Sequence, residues 1–290
     1  MKNLSEHLPP LYPILYEEAV RSALIEDLGR AGDLTTDAIV PSEISTTASI
    51  VVRQPGRIAG TEVAVAAFHC LDPRLEAEIR VADGSNSPGG EAIILIRGAA
   101  RPILSAERTA LNFLGHLCGI ATVTHEVVRA IERYSTRVVC TRKTTPGLRA
   151  LEKYAVRAGG GANHRFGLDD AILVKDNHLL LAGGVSEAVC RLRKSIGHMV
   201  KIEVEVDTLE QLEEALRAGV DAVLLDNMPV DTLRQAVGMA KGKALTEASG
   251  GITPANAAAI AETGVDVISL GWITHSAPAL DVSLELALSL

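Results

Sequence analysis

The chain has 290 residues, 47% of them hydrophobic and only 3% aromatic, with a formal net charge of −8. That length allows one large or two ordinary domains, and the core must be built from Ala, Val, Leu and Ile, which suits α/β layers. The acidity argues against a nucleic-acid partner, no apolar run approaches the roughly 18–20 residues of a membrane span, and the opening "MKNLSEHLPPLYPILYEEAV" lacks the basic-then-apolar order of a signal peptide, so a cytoplasmic protein with no membrane partner is expected.

Residues 11–28 read as a helix with an apolar face of Leu15, Ala19, Ala23 and Leu24, followed by "GRAGDLTTDAIVP", a loop rich in turn formers. "TTASIVVRQ" and "EAIILIRG" read as strands, "LEAEIRVADG" alternates like a half-buried strand, "GTEVAVAAFHCL" reads as a helix and "ADGSNSPGGEA" as a turn. This first region forms a small α+β unit ending near residue 100. From Ile103 to about Tyr134 the pattern is helical, with Gly115 and Gly119 as expected breaks. The rhythm then changes. "TRVVCTRK", "AILVKDNH", "KIEVEVD", "DAVLLDN", "ALTEASGG" and "DVISLGW" read as strands, with helical stretches at 147–157, "VSEAVCRLRKSI", "TLEQLEEALRAG", "PVDTLRQAVGMA" and "TPANAAAIAETG" between them. Strands alternating with helices in this way signal parallel βαβ units.

The residues where these strands run out are Lys143, Lys175, Glu205, Asp226, Ser249 and Gly271, between 21 and 32 residues apart. Repeats of that size, with functional groups at the strand carboxyl ends, suit a parallel barrel; an open doubly wound sheet would gather its ligand at one switch point instead. Because every end is polar or small, a closed barrel is favoured, with fewer repeats than the common one. The last two ends, "EASGGI" and "SLGWITH", are glycine-rich, so Ser249, Gly250, Gly251 and Gly271 are candidates for a backbone phosphate cradle or else plain tight turns. Glu205 and Asp226 are placed to bind Mg²⁺ or ribose hydroxyls, or to pair with Lys143 or Lys175.

Charge is unevenly spread. Residues 142–175 hold seven Lys/Arg against three acids, a local +4 in an acidic chain. Arg149, Lys153 and Arg157 recur at helical spacing and fit a solvated helix face; Arg142, Lys143, His164, Arg165 and Lys175 lie outside that helix and point to a small anionic ligand. Arginine suits carboxylates and lysine suits phosphates, so the site reads as a place for both. His69, His116, His125 and His198 read as ordinary helix or loop residues. Cys70, Cys118, Cys140 and Cys190 are scattered without a C-x-x-C pair, which predicts buried free thiols rather than disulfides or structural zinc.

"TRKTTPGLRALEKYAVRAGGGANHRFGLDDAILVKDNH", with "EVEVD", "LLDN", "EASGGI", "SLGWITHSAPALDVSL", "EDLGRAGDLTT" and "ERTALNFLGHLCGIAT", closely resembles the quinolinate phosphoribosyltransferase family, and the likeness covers nearly the whole chain. The resemblance implies an incomplete, six-stranded parallel α/β barrel at residues 113–276 beside an N-terminal α/β sandwich domain at 1–112 that is joined by 277–290. It implies transfer of a phosphoribosyl group from phosphoribosyl pyrophosphate to quinolinate with loss of carbon dioxide, dependence on Mg²⁺, and a homodimer or larger homo-oligomer. Carried over by motif, Arg108 of "ERTALNF" would act in trans. Arg142, His164, Arg165 and Lys175 would hold the quinolinate carboxylates, and Thr141 would join the substrate-binding residues. Lys143 and Lys175 would sit near pyrophosphate, and Glu205 and Asp226 would take ribose hydroxyls and Mg²⁺. Ser249, Gly250, Gly251, Gly271 and His275 would receive the 5′-phosphate. Two alternatives stand beside this. A related phosphoribosyltransferase with another acceptor, such as the molybdenum-transport-associated relative, would not need Arg108, Arg142, His164 and Arg165 together. A non-catalytic sensor of phosphorylated metabolites would not need Glu205 with Asp226.

Overall fold

The structure is a computed structural model that describes residues 8–287. Its contacts divide the chain into two compact units: the segment up to His125 with Thr144–Gly160 and the segment from Ile273, and Glu126–Lys143 with Gly161–Trp272.

The first unit begins with helix α1 (Glu17–Leu28), α2 (Leu34–Ile39), strand β1 (Ser45–Val52), β2 (Gly56–Arg57), α3 (Thr61–Leu71), β3 (Glu76–Ile79), β4 (Asn86–Ser87), β5 (Glu91–Ala99) and the long α4 (Ala100–Ala130). α1 buries Val20 and Leu24 in line with the buried Tyr16 just before it, while Leu15 is half exposed, so the apolar stripe is shifted from the expected one. The expected loop after it contains α2, started by Asp33, whose Oδ1 accepts the Thr36 N–H at 2.9 Å. The expected turn at "ADGSNSPGGEA" carries β4, which pairs with β2 in a two-residue ladder. α3 packs an almost wholly apolar surface, burying Val63, Ala64, Val65, Ala67 and Phe68.

α4 runs unbroken through Gly115 and Gly119, contrary to the expectation of breaks there. Both glycines serve a close approach. A Cβ at Gly115 would lie 2.9 Å from the Leu280 carbonyl oxygen, and one at Gly119 would collide with the carbonyl of Pro278. The helix interior accepts the propensity loss of glycine, about 1 kcal/mol each, because no side chain fits between it and the strap 278–280.

The second unit opens with β6 (Arg137–Val139), after which α5 (Arg149–Ala158) belongs to the first unit. Lys153 on α5 is fully buried, and Arg149 and Arg157 are only partly exposed, so this is not a solvated face. β7 (Ile172–Val174), α6 (Asp176–Ala182), α7 (Val185–Ser195), β8 (Ile202–Val206), α8 (Leu209–Arg217), β9 (Ala222–Asp226), α9 (Val230–Ala240), β10 (Leu245–Ser249), α10 (Pro254–Ala261) and β11 (Val267–Ser269) complete the alternation, and α11 (Trp272–His275) follows, its residues from Ile273 belonging to the first unit. The six strands form one parallel sheet in the order β6-β11-β10-β9-β8-β7. Among the described residues no ladder joins β6 to β7, so the barrel is incomplete rather than closed.

The last strand, β12 (Val282–Ala287), returns to the first unit and pairs antiparallel with β1, completing a four-stranded sheet in the order β12-β1-β5-β3. Two of the four cysteines, Cys118 and Cys140, are buried free thiols as expected; Cys70 and Cys190 are exposed, because each stands at a helix position turned to solvent. No described helix is long and apolar enough to cross a membrane.

Candidate active site

The carboxyl ends of the parallel strands put most of the candidate residues in one unit. The ladder β9–β10 sets Ser249 beside Asp226, and the ladder β10–β11 sets Ser249 beside Ser269. Glu205 lies one residue inside the end of β8, and Lys175 directly follows β7, where it caps α6. Lys175 Nζ and Glu205 Oε2 form an ion pair at 2.6 Å, with the lysine half exposed and the carboxylate largely covered. The lysine is thus held over the strand ends while it stays reachable from solvent.

Lys143 is four residues past β6 rather than at its end, on a loop steadied by its own backbone N–H, which donates to Thr141 Oγ1 at 3.0 Å. Packing alone requires a glycine at position 271. A Cβ at that position would lie 2.7 Å from Lys143 Cδ and 3.3 Å from Thr141 Oγ1, so the missing side chain is the space the lysine stem occupies. Gly250 has φ +98°, and a Cβ there would strike the Asn227 side chain; Gly251 has φ +60° with nothing close to it. The first glycine is fixed by packing and backbone together, the second by backbone alone. Asn227, which sequence reasoning missed, is the one described non-glycine residue with positive φ, at 51°. It donates from Nδ2 to Asp226 Oδ2 at 2.7 Å and from its backbone to the Ser249 carbonyl at 2.9 Å, tying the ends of β9 and β10 together. Its place directly after "LLD" was the available signal. The loop beyond is pinned by Asn256, which donates to the Gly251 carbonyl at 3.0 Å, and by Trp272, whose indole donates to the Ile252 carbonyl at 2.8 Å.

The candidate residues Arg142, His164 and Arg165 lie in the chain between β6 and β7. Arg165 donates from Nη1 to the Ala171 carbonyl at 2.8 Å. Burial, and next the like charge of Arg142, pull its guanidinium below the usual value, partly offset by Glu203 and Asp170; it stays a cation at neutral pH. The Nε atoms of Arg142 and Arg165 are both buried without a hydrogen-bond partner. Two neighbouring guanidiniums with orphaned donors are costly in a folded protein unless an anion completes them.

His164 is almost covered, with Nε2 3.0 Å from Glu203 Oε2 and 3.7 Å from Glu247 Oε2. The three side chains bring one ligand atom each within 4.8 Å of one another. Glu203 and Glu247 are a second omission of the sequence reading. Glu203 shares the face of Glu205 and Glu247 that of Ser249, by the strand period of two. Burial, then the Glu203 charge, pushes the Glu247 carboxyl upward.

Arg108 and His275 belong to the first unit. Arg108 is exposed on α4, and His275 is exposed with its Nδ1 2.6 Å from Ser276 Oγ.

Mg²⁺, which the resemblance implies, is tested by the donor set. Glu205 and Asp226 are hard oxygen donors on adjacent strand ends, both partly exposed. Two such carboxylates fit a hydrated Mg²⁺ shared with substrate phosphates, and do not make a closed protein cage.

Known proteins resemble this chain along nearly its whole length. The model of the N-terminal domain of quinolinate phosphoribosyl transferase matches residues 33–118, and that of its C-terminal domain matches residues 120–285. A probable nicotinate-nucleotide pyrophosphorylase (carboxylating) of Bacillus subtilis is 47% identical over 265 residues, covering 91% of each chain. The nicotinate-nucleotide pyrophosphorylase (carboxylating) of Mycobacterium leprae is 44% identical over 277 residues, covering 93% of this chain and 96% of that one. The solved structure of the nicotinate-nucleotide pyrophosphorylase from Francisella tularensis superposes with a TM-score of 0.92 at 39% identity, covering 97% of this chain and 99% of that one. With both domain models matched in order along one chain, the protein belongs to the quinolinate phosphoribosyltransferase family.

Proposed function

We propose that this protein transfers the phosphoribosyl group of phosphoribosyl pyrophosphate to quinolinate and releases pyrophosphate, carbon dioxide and nicotinate mononucleotide, a step of NAD biosynthesis. The observation that carries this is the pair of buried, orphaned guanidinium donors on Arg142 and Arg165. A dicarboxylate acceptor satisfies both, and a charge-assisted pair is about twice as strong as a neutral hydrogen bond.

The chain's own groups divide the work. Arg142 and Arg165 seat the acceptor, with Arg108 contributed across a dimer. The pyridine nitrogen is the nucleophile and needs alignment, not a base. As the bond from ribose C1 to the pyrophosphate oxygen breaks, positive charge grows on the ribose and negative charge on the leaving group. Lys143 and Lys175 stabilise the latter. Glu205 holds Lys175 in place until the phosphates draw on it, which the 2.6 Å ion pair supports. Asp226 and Glu205 hold ribose hydroxyls and Mg²⁺, which when bound supplies further charge stabilisation to the pyrophosphate. Ser249, Gly250 and Gly251 receive the 5′-phosphate on backbone N–H groups. After transfer the ring nitrogen is a cation. The C2 carboxylate leaves as carbon dioxide, its bonding pair passes to C2 beside that cation, and C2 is then protonated.

The reading includes a cytoplasmic homodimer or larger homo-oligomer. Ile14, Leu180 and Leu181, each at least 80% exposed, are side chains that such an assembly would cover. The test is turnover with phosphoribosyl pyrophosphate, Mg²⁺ and either quinolinate or nicotinate. Nicotinate leaves one guanidinium unpaired, at a cost of about 1–3 kcal/mol, and should be turned over poorly. Comparable turnover of both acids would overturn the assignment.

A further inference from the structure

Glu203 takes part in none of these steps, yet it is the hydrogen-bond partner of a histidine in the middle of the acceptor cluster. We propose that Glu203 is a positioning residue that acts through His164 to fix the main chain of Arg165; the inference rests on the reading that Arg165 meets an acceptor carboxylate.

The argument turns on which ring nitrogen bears the proton. His164 Nδ1 lies 2.7 Å from the backbone nitrogen of Arg165. A backbone N–H can only donate, so Nδ1 accepts and carries no proton, and the imidazole is neutral with its hydrogen on Nε2. Nε2 then donates, and Glu203 Oε2 at 3.0 Å is its acceptor. Glu247 Oε2, at 3.7 Å, is beyond hydrogen-bond reach of that atom.

Carboxylate, ring and backbone thus form one line, from β8 through His164 to Arg165. The far end of the arginine is held separately by the Ala171 carbonyl. Without Glu203 the ring loses the acceptor that holds its proton on Nε2, and the Nδ1–H form becomes accessible. Two donors would then face each other, the Arg165 main chain would shift, and the guanidinium, fixed at its other end, would turn away from its working angle.

The test uses the full-length protein with ¹⁵N-labelled histidine, the His164 signal being assigned by its loss in His164→Asn. Wild type should show His164 as a neutral Nε2–H ring at pH 7. Glu203→Leu removes the acceptor at similar volume and should give a mixture of tautomers. It should raise the quinolinate KM by about tenfold or more, with kcat and the phosphoribosyl pyrophosphate KM within about twofold. Glu203→Gln keeps an accepting oxygen and should restore most of the difference. An imidazolium or an Nδ1–H ring in wild type overturns the proposal even if Glu203→Leu does not fold. So does a folded Glu203→Leu with unchanged quinolinate KM, or one in which both KM values rise alike. Should wild type fail to turn over quinolinate, the functional reading falls while the ring spectrum still decides the Glu203–His164–Arg165 geometry.

Discussion

Replacing Glu247 by Gln removes one buried titration without changing side-chain volume. The Glu247 carboxyl is raised from an ordinary 4.5 to about 7, by burial first and by the Glu203 charge second. Below about pH 4.5 the folded and unfolded chains both hold this proton, so it does not affect stability. Between there and about pH 7 only the folded chain holds it, so folding takes up a proton and stability falls with each step up in pH. Above about pH 7 both forms are ionised and the loss is complete. At 1.36 kcal/mol per pH unit the ceiling is about 3 kcal/mol. Sharing of charge with Glu203 lowers the expected figure to about 1–2 kcal/mol. Glutamine cannot ionise, so Glu247→Gln should gain on wild type by that amount between pH 5 and pH 8. Urea midpoints of both proteins at the two pH values measure it, and every titration common to them cancels in the difference. An offset between the two proteins that is the same at pH 5 and pH 8 would refute the reasoning, because Glu247 would then not change protonation on folding.

Asp226→Asn keeps an acceptor for Asn227 but loses the charge, so it should raise the phosphoribosyl pyrophosphate KM by about tenfold while the quinolinate KM moves by less than about twofold; equal losses would remove Asp226 from the phosphate half of the site. Gly119→Ala gains about 1 kcal/mol of helix propensity but drives a methyl group into the Pro278 carbonyl. Its melting temperature should therefore fall, and by more than that of Gly115→Ala; a rise would show that strap 278–280 moves freely. Arg108→Ala and Lys175→Ala homodimers should each be nearly inactive. Random co-expression should restore activity at about a quarter of all sites if Arg108 acts in trans, and confirmed mixed dimers as inactive as their parents would place Arg108 in its own subunit's site or in none.

The alternation of strands and helices after residue 136 was legible because each strand is a short apolar run closed by a polar residue, and that pattern depends only on near neighbours. Lys175, Glu205, Asp226 and Ser249 could be found by the same rule. What failed were features whose cause lies far along the chain. Gly115 and Gly119 look locally like helix breakers, and nothing near them shows that residues 278–280 will press against them. Nothing near Gly271 in sequence shows that the Lys143 stem will fill the place of its side chain. Lys153 has the spacing of a solvated face, yet it is fully buried. Glu203 is different: the alternation in "KIEVEVD" already put it on the same face as Glu205, and the period-of-two rule was there to be applied.

The pairing of β12 with β1 has a consequence for synthesis on the ribosome. β1 emerges early, while its partner on one side is not made until Val282–Ala287 leave the exit tunnel. At about 5–20 residues per second, the first sheet waits tens of seconds with that edge unpaired, while every strand of the parallel sheet has already been translated. Nascent chains stalled before Val282 should therefore engage chaperones or aggregate through the open side of β1, and release of the last strand is the event that ends the exposure.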